Sequence, residues 1–215
     1  MIDFKYKDFK FSCDIGTMTP LQYIRMINIL EEEVPCKICE LGSGISTSIF
    51  DVYCKKYGAV RFSIEHDESY CKKNSALLFH LKEKVQLVIG DNIYNNCSVY
   101  DGLEKWLCLQ DKFDFVLIDG ANDGLPVNNL GLEYARIQML SFVMLDKLQD
   151  NSVVMFHDSE RKIAQNTLSE FERLLKVKNY HYNKEVVVEK DKEIYNYNVR
   201  ILGSCPELTI YKLWK

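Results

Sequence analysis

The fold is decided by the stretch Lys37 to Phe50, KICELGSGISTSIF. Ile38 to Leu41 form an apolar run that predicts a buried strand, and Gly42 and Gly44 predict a tight turn after it. The hydroxyl side chains that can cap the following helix are Ser43, Ser46 and Thr47. Because the backbone N–H groups of such a turn lie at the positive end of a helix, the stretch predicts a site for a nucleotide-like cofactor.

Composition narrows the class of protein. A chain of 215 residues with 47% hydrophobic content can bury a sizeable core, and we expect one domain over residues 1–215. The net charge of -4 gives no basic face for a phosphate backbone, so nucleic acid is disfavoured as a partner. The N-terminus alternates charged and aromatic residues without a long apolar run, which predicts a cytoplasmic protein with neither signal peptide nor membrane span.

The eight cysteines are scattered through apolar segments of a long chain, and this pattern favours reduced core thiols over a disulfide scaffold. Cys36 and Cys39 form a CxxC motif. Three residues apart on a strand they point to opposite faces, and no second pair has zinc spacing, so the motif is interpreted as structural.

Hydrophobic periodicity predicts strands that alternate with helices through most of the chain. Strands are predicted at 38–41, 60–65, 85–89, 113–118 and 152–156, and three more at 185–189, 194–202 and 208–214. Helices are predicted at 17–34, after the glycine turn, from Asp67 through Leu81, around Leu103 to Leu107, from Leu130 to Leu148 and from Ile163 to Leu175. Five strand-helix units predict an α/β fold with a mostly parallel, twisted sheet, and the last strands predict antiparallel pairing at its edge.

Polar residues follow the predicted parallel strands, and the carboxyl ends of such strands share one edge of a sheet. These residues are Glu40 to Gly44, Glu65, Asp91 with Asn92, Asp119, and His157 with Asp158. Glu65 ends a strand about twenty residues after the glycine turn, where a carboxylate can accept both hydroxyls of a ribose. His66 follows it and is a candidate to flank an adenine ring, with an ordinary surface histidine as the alternative. The alternative is that Glu65 is an ordinary strand-end acid and that Asp119 and Asp158 only cap turns.

The motif E-L-G-S-G-x-S-T, with this order of elements, resembles class I S-adenosylmethionine-dependent methyltransferases over essentially the whole chain. The resemblance implies a Rossmann-like three-layer sandwich, divided into an N-terminal lid and helix (1–34), a cofactor-binding core (35–178) and C-terminal antiparallel strands (179–215). Thr47 occupies the position of the third glycine of a dinucleotide site, so NAD is disfavoured.

The resemblance also implies which residues bind S-adenosyl-L-methionine. Those around the methionine part would be Glu40, Gly42, Ser43, Gly44, Ser46 and Thr47, those at the ribose and adenine Glu65, His66, Asp91 and Asn92, and Asp119 would border the cofactor.

Two further motifs, IDGAN at the fourth strand and VVMFHD at the fifth, resemble the branch with catechol O-methyltransferase and bacterial O-methyltransferases of sugars and antibiotics. By that resemblance Asp119 and Asp158 would hold Mg2+ or another divalent cation, which would lower the pKa of a substrate hydroxyl. His157 stands where catechol-type members have a metal carboxylate, and Asn122 stands where a histidine is common. His157 as a general base is the competing mechanism, and both stay open.

The sequence therefore predicts an enzyme that transfers a methyl group from S-adenosylmethionine to a hydroxyl of a small molecule, with a sugar or sugar-nucleotide favoured. The alternatives are a catechol-like acceptor, N-methylation, an inactive cofactor-binding module and, less favoured, a dehydrogenase. An apolar wall for a catechol would have to come from Met18, Tyr23 or the loop at Leu125-Pro126. A homo-oligomer is compatible with the sequence.

Overall fold

A computed structural model describes residues 2–13, 17–89, 91–120, 134–190 and 206–215. The strands are β1 (Ile2–Tyr6), β2 (Phe9–Cys13), β3 (Lys37–Leu41), β4 (Val60–Glu65), β5 (Leu77–Leu78), β6 (Leu81–Ile89), β7 (Asn92–Tyr100), β8 (Phe113–Ile118), β9 (Leu148–His157), β10 (His181–Val188) and β11 (Glu207–Trp214). The helices are α1 (Pro20–Glu33), α2 (Ile45–Tyr57), α3 (Glu68–Asn74), α4 (Leu103–Cys108), α5 (Met139–Met144) and α6 (Lys162–Val177).

The central sheet has seven strands in the order β10-β11-β9-β8-β3-β4-β5. Neighbouring strands from β9 to β5 pair in parallel. β11 pairs antiparallel with both β9 and β10. This arrangement confirms the predicted mostly parallel sheet with antiparallel C-terminal strands.

Strand β8 lies at the centre of the sheet and is buried on both faces. Phe115 and Leu117 pack in one apolar layer with residues of β2, α1 and α2, and Val116 and Ile118 pack in the other with residues of α4, α5 and α6. A nearly continuous apolar run is typical of a strand covered on both sides. The helices therefore cover both faces, as a three-layer sandwich requires.

The N-terminal segment contains a hairpin that the sequence interpretation did not assign. β1 and β2 pair antiparallel, and the alternating pattern directs Phe9 and Phe11 into the layer beside α2. The helix predicted at 17–34 is confirmed as α1, which begins at Pro20. Thr19 caps it, and the Gln22 side-chain oxygen accepts a hydrogen bond from the Thr19 backbone N–H, as in a capping box.

The third predicted strand, at 85–89, was wrongly assigned to the parallel sheet. These residues belong to β6, which forms a separate antiparallel hairpin with β7, and β5 takes the next place in the sheet. The preceding helix was predicted through Leu81, but α3 ends at Asn74 because Ser75 adopts a left-handed backbone with φ 51°. Asp91 lies in the turn that links these two antiparallel strands, and aspartate is a residue type that hairpin turns also favour.

Two further predicted elements differ from the structure or lie outside its described residues. The helix predicted from Leu130 to Leu148 is, within the described ranges, only α5, and Leu148 begins β9. The strand predicted at 194–202 lies outside the described residues.

The seven described cysteines are free thiols, of which Cys39 is buried and Cys36 exposed. Within the described ranges, no helix has the length and apolar character to cross a membrane.

Candidate functional site

The candidate site lies along the edge of the sheet where β3, β4, β8 and β9 end. Parallel pairing brings together the glycine turn after β3, Glu65 at the end of β4, Asp119 after β8 and His157 at the end of β9. Open α/β sheets bind ligands at this edge. The structure thus assembles most of the residues that the sequence analysis selected.

The glycine turn and the end of β8 are in backbone contact. Gly42 has a left-handed φ of 91°, and its N–H donates to Ile64 O at 2.7 Å. A Cβ on Gly42 would lie 2.5 Å from the Cα of Gly120, so no other residue fits at this position without movement. A ligand on the turn therefore lies next to Asp119, whose N–H donates to Leu41 O at 2.8 Å.

Glu40, on β3, lies beneath the turn and is 0% exposed. Its carboxylate accepts hydrogen bonds from the hydroxyls of Thr47 at 2.7 Å and Ser63 at 2.6 Å, and from that of Ser46. Burial raises the pKa of Glu40 to about 7, although the three hydroxyls act in the opposite direction and stabilise the ionised form. Glu40 therefore fastens the first turn of α2 to β3 from below.

Glu65, on the neighbouring strand β4, is 5% exposed and has a different environment. Its carboxylate accepts the backbone N–H groups of Ser43 at 2.9 Å, His66 at 2.7 Å and Asp67 at 3.0 Å. The Nδ1 atom of His66 lies 2.8 Å from Glu65 Oε1. Burial opposes ionisation, but His66 and the backbone donors outweigh it and lower the pKa of Glu65 to about 2.

The residues around the turn fit a cofactor with a carboxylate and a ribose. A Cβ on Gly44 would meet no atom of the described residues within 4 Å, so they leave the turn open on this side. Gly44 has no side chain to cap helix α2, and its own N–H donates to Thr47 Oγ1 at 2.9 Å, so the N–H groups of the first helical turn are those that remain for an anionic group. The Glu65 carboxylate already receives hydrogen bonds from Ser43, so a ribose would share or displace them.

Asp119 and His157 form the centre of the other part of the site. Asp119 Oδ1 lies 2.7 Å from His157 Nδ1. The Asp119 side chain is 25% exposed, whereas that of His157 is 1% exposed, so Asp119 is the member that a substrate can reach. Burial disfavours the imidazolium, but the carboxylates of Asp158 and Asp119 outweigh burial and raise the pKa of His157. The Nε2 atom of His157 finds no hydrogen-bond partner among the described residues.

Asp158 does not suit a metal ion in this structure. Its Oδ2 atom lies 2.9 Å from Arg161 Nη2 and 3.4 Å from Arg136 Nη2. Burial alone would raise the pKa of Asp158, but His157 and the two arginines lower it. Two guanidinium groups on one carboxylate repel a further cation, and no group of His, Cys, Asp or Glu in the described ranges has the arrangement of a metal site. The divalent cation expected at Asp119 and Asp158 is therefore not supported.

Asp91 and Asn92 are not brought to the site. They are exposed at the turn between β6 and β7. Tyr100, at the other end of the hairpin, has its ring centroid 6.2 Å from that of His66. Nine-residue strands at 3.3 Å per residue separate the two ends of such a hairpin by about 25 Å. The expectation that Asp91 lies with the other strand ends is thus wrong.

Some residues that the sequence analysis considered are buried in the core beside the site, and others lie outside the described residues. Met18 and Tyr23 are buried in the apolar layer with Phe9. Burial and the nearby Asp119 carboxylate raise the pKa of the Tyr23 hydroxyl. Asn122, the Leu125-Pro126 pair and most of the loop 120–131 lie outside the described residues.

Sequence reasoning missed the arginines. Arg136 precedes α5 and is buried, and it donates to the backbone carbonyl of His157 and faces Asp158. Arg61 on β4 donates to Ser63, which in turn donates to Glu40. The signal in the sequence was an arginine inside an otherwise apolar segment, which has to find a partner when it is buried.

Comparison with known proteins supports the fold. No protein-family model matches the chain, and no curated protein matches it. The structure is similar to a putative O-methyltransferase from Klebsiella pneumoniae with a TM-score of 0.53 at 8% sequence identity, covering 93% of this chain and 82% of that chain. It is also similar to the SAH-bound methyltransferase PaMTH1 from Podospora anserina, with a TM-score of 0.50 at 14% identity, covering 93% and 80%.

A third similar structure is the O-methyltransferase from Bacillus cereus in complex with SAH, with a TM-score of 0.50 at 9% identity, covering 92% of this chain and 83% of that chain. At such low identities the likeness concerns the fold. The chain has the fold of these methyltransferases, which confirms the architecture that the sequence resemblance implied.

Proposed function

We propose that this chain, which has the fold of O-methyltransferases, transfers a methyl group from S-adenosylmethionine to a hydroxyl of a small molecule. The observation that carries the proposal is the backbone contact between Gly42 and Gly120. It places the open glycine turn directly beside Asp119 and its partner His157. A cofactor on the turn and a hydroxyl at Asp119 would then be neighbours.

On the cofactor side, different residues of the chain would bind different parts of S-adenosylmethionine. The N–H groups at the start of α2 face the carboxylate of the cofactor, and Glu65 faces its ribose. When bound, S-adenosylmethionine supplies an electrophilic methyl group on a positively charged sulfur. Glu40 lies beneath the turn, is fully buried and accepts from three hydroxyls, so it holds the turn and does not contact the cofactor.

On the acceptor side, Asp119 takes the proton that the hydroxyl loses as its oxygen forms the new bond to the methyl carbon. His157 is the positioning partner, because its Nδ1 atom holds Asp119 Oδ1 while its own ring is buried. This assignment replaces His157 by Asp119 as the proton acceptor, since a general base must reach the proton it removes. Arg136 and Arg161 hold Asp158 next to the imidazole.

A hydroxylated acceptor such as a sugar or a sugar-nucleotide is the favoured substrate class. Its support is chemical: a carboxylate is a strong acceptor of hydrogen bonds from sugar hydroxyls. A catechol is the second class, because the apolar residues considered for its wall, Met18 and Tyr23, are buried in the core.

The test is a transfer assay with S-adenosylmethionine carrying a labelled methyl group. The purified protein and its Asp119→Asn variant are incubated with monosaccharides, sugar-nucleotides, catechols and primary amines, and the labelled product is identified by mass spectrometry. We expect an O-methylated sugar-type product from the wild type and at least a hundredfold less from the variant. Product from amines alone, or equal product from the variant, would contradict the proposal.

A further inference from the structure

Arg61 is a largely buried arginine whose three donor nitrogens each serve a different element. Its Nε donates to Asp51 Oδ1 on α2 at 2.6 Å, its Nη1 to Ser63 Oγ on β4 at 3.0 Å, and its Nη2 to Asn74 O at the end of α3 at 2.9 Å. The side chain is only 11% exposed. A rigid planar guanidinium can serve three acceptors at fixed angles, which a lysine ammonium on a flexible chain cannot reproduce.

One route of hydrogen bonds leads from Arg61 to the glycine turn through Glu40. Ser63 donates its single hydroxyl hydrogen to Glu40 Oε2 at 2.6 Å, so its oxygen is free to accept from Arg61. Glu40 Oε2 also accepts from Thr47 Oγ1 at 2.7 Å, and Thr47 Oγ1 accepts from the backbone N–H of Gly44 at 2.9 Å. This route ends on the open side of the turn.

A second route leads from Arg61 to the same turn through α3. Arg61 holds the carbonyl of Asn74, and the Asn74 side chain donates to Ser43 Oγ at 3.1 Å. Ser43 in turn donates its backbone N–H to Glu65 at 2.9 Å. The two routes therefore meet at consecutive residues, Ser43 and Gly44.

Charge gives Arg61 a further part in the first route. Among the described residues, no cationic side chain pairs directly with Glu40, whose carboxyl is fully buried, and the carboxylate of Asp119 acts on it unfavourably. Arg61 is the cation linked to Glu40 through the Ser63 hydroxyl. Its charge polarises the Ser63 hydroxyl toward Glu40 and favours the carboxylate form that accepts all three hydroxyls.

We propose that Arg61 is a positioning residue for the cofactor, because it fixes Ser43 and Gly44 through two separate hydrogen-bond routes without touching the ligand itself. The inference rests on the proposed function, since it concerns the same turn. It predicts that loss of Arg61 weakens cofactor binding in a protein that is still folded.

The experiment is calorimetric titration of S-adenosylhomocysteine into wild type, Arg61→Met and Arg61→Lys, with circular dichroism and thermal unfolding to establish the folded fraction. We expect the Kd of both variants to rise about tenfold or more, corresponding to the loss of charge-assisted hydrogen bonds. Arg25→Met is the matched control, since Arg25 forms a surface ion pair with Glu185 far along the sheet, and its Kd should equal that of the wild type.

Two milder variants keep the test valid if loss of Arg61 impairs folding. Ser63→Ala interrupts the first route and Asn74→Ala the second, and each should raise the Kd about threefold or more. With S-adenosylmethionine as substrate, the variants should raise KM more than they lower kcat.

The outcomes separate this inference from the proposed function. Folded variants that bind S-adenosylhomocysteine as tightly as the wild type would overturn the inference and leave the proposed function intact, because Arg61 would then serve folding only. A wild type that binds no S-adenosylhomocysteine would overturn both. A raised Kd in Arg61→Met and in the single-route variants, with Arg25→Met unchanged, would support the inference.

Discussion

The two halves of the candidate site are held in place by different chemistry. In the cofactor half, which comprises the glycine turn with Glu40 and Glu65, the contacts come chiefly from hydroxyls and backbone N–H groups. In the acceptor half, which comprises Asp119, His157, Asp158, Arg136 and Arg161, the contacts join charged groups.

The difference shows how one sheet edge can carry two tasks. Hydroxyls and backbone N–H groups do not themselves gain or lose protons in the ordinary pH range, and they hold the backbone turn in one shape, as a binding surface needs. Charged groups that face one another respond to a gained or lost proton, as a proton-accepting site needs. Substitutions in the two halves should therefore have separable effects, on cofactor affinity and on turnover respectively.

The largest effect is expected in the acceptor half. Asp119→Asn keeps the size of the side chain and removes the proton acceptor, so turnover should fall about 100- to 10,000-fold. The Kd for S-adenosylhomocysteine should change less than threefold. Initial rates and calorimetry on the same preparation measure both. A large loss of affinity with near-normal turnover would show that the two halves are not separable.

The next effect concerns Glu40 and protein stability. Its pKa of about 7 in the folded protein lies above the ordinary value of 4.5. Between these values the native state binds more protons than the unfolded state, so this group makes stability fall as pH rises. The full shift corresponds to roughly 3 kcal/mol. Glu40→Gln removes the charge. The difference in free energy of unfolding, variant minus wild type, should therefore become more positive by about that amount as the pH rises from 4 to 8.

Urea unfolding at a series of pH values measures this difference. Glu68→Gln is the control, because Glu68 is an exposed acid on α3. A pH-independent difference between Glu40→Gln and wild type would contradict the environment described for Glu40.

A smaller effect is expected from Glu65. Glu65→Gln retains the shape but weakens the hold on the backbone N–H groups of Ser43 and Asp67, and removes the proposed ribose acceptor. The Kd for S-adenosylhomocysteine should rise about 10- to 100-fold. The pKa of Glu65, lowered to about 2, also implies stability that is complete above pH 4.5 and is lost as pH falls toward 2, and the variant should lack this loss. Unchanged affinity would remove the ribose assignment.

The smallest effects are expected for two expectations that the structure does not support: cofactor contacts of Asp91 and Asn92, and a divalent cation at Asp119 and Asp158. The double variant Asp91→Ala/Asn92→Ala should bind S-adenosylhomocysteine within twofold of wild type, because these residues lie at the far turn of the hairpin. Addition of EDTA should leave turnover unchanged, because Arg136 and Arg161 occupy the carboxylate of Asp158. A tenfold loss of affinity in the double variant would support adenine binding by Asp91 and Asn92. A tenfold loss of turnover with EDTA would support a divalent cation at Asp119 and Asp158.

The sequence predicted those parts of the fold that depend on local pattern. The glycine turn and the apolar run of β8 were recognisable from neighbouring residues alone, and they placed Asp119 and His157 at one edge. The hairpin of β6 and β7 was missed, because Gly90, Asp91 and Asn92 have the composition both of a strand end and of a hairpin turn. Only the tertiary contacts decide between the two.

The supporting arginines were unpredictable for another reason. Arg136 meets Asp158 across 22 positions of sequence, and Arg61 meets Asn74 across 13. Such partnerships depend on how strands and helices are placed in space, and no short motif records them. The exposure of Asp119 relative to His157 likewise follows from packing, and this decides which of the two can accept a proton.

Binding of S-adenosylmethionine at this edge of the sheet is tested by calorimetric titration of the wild-type protein with S-adenosylhomocysteine, with NAD as the control ligand. We expect one site per chain with a micromolar Kd for S-adenosylhomocysteine, and no heat of binding for NAD, because Thr47 replaces the third glycine of a dinucleotide site. Absence of S-adenosylhomocysteine binding, or tighter binding of NAD, would contradict it.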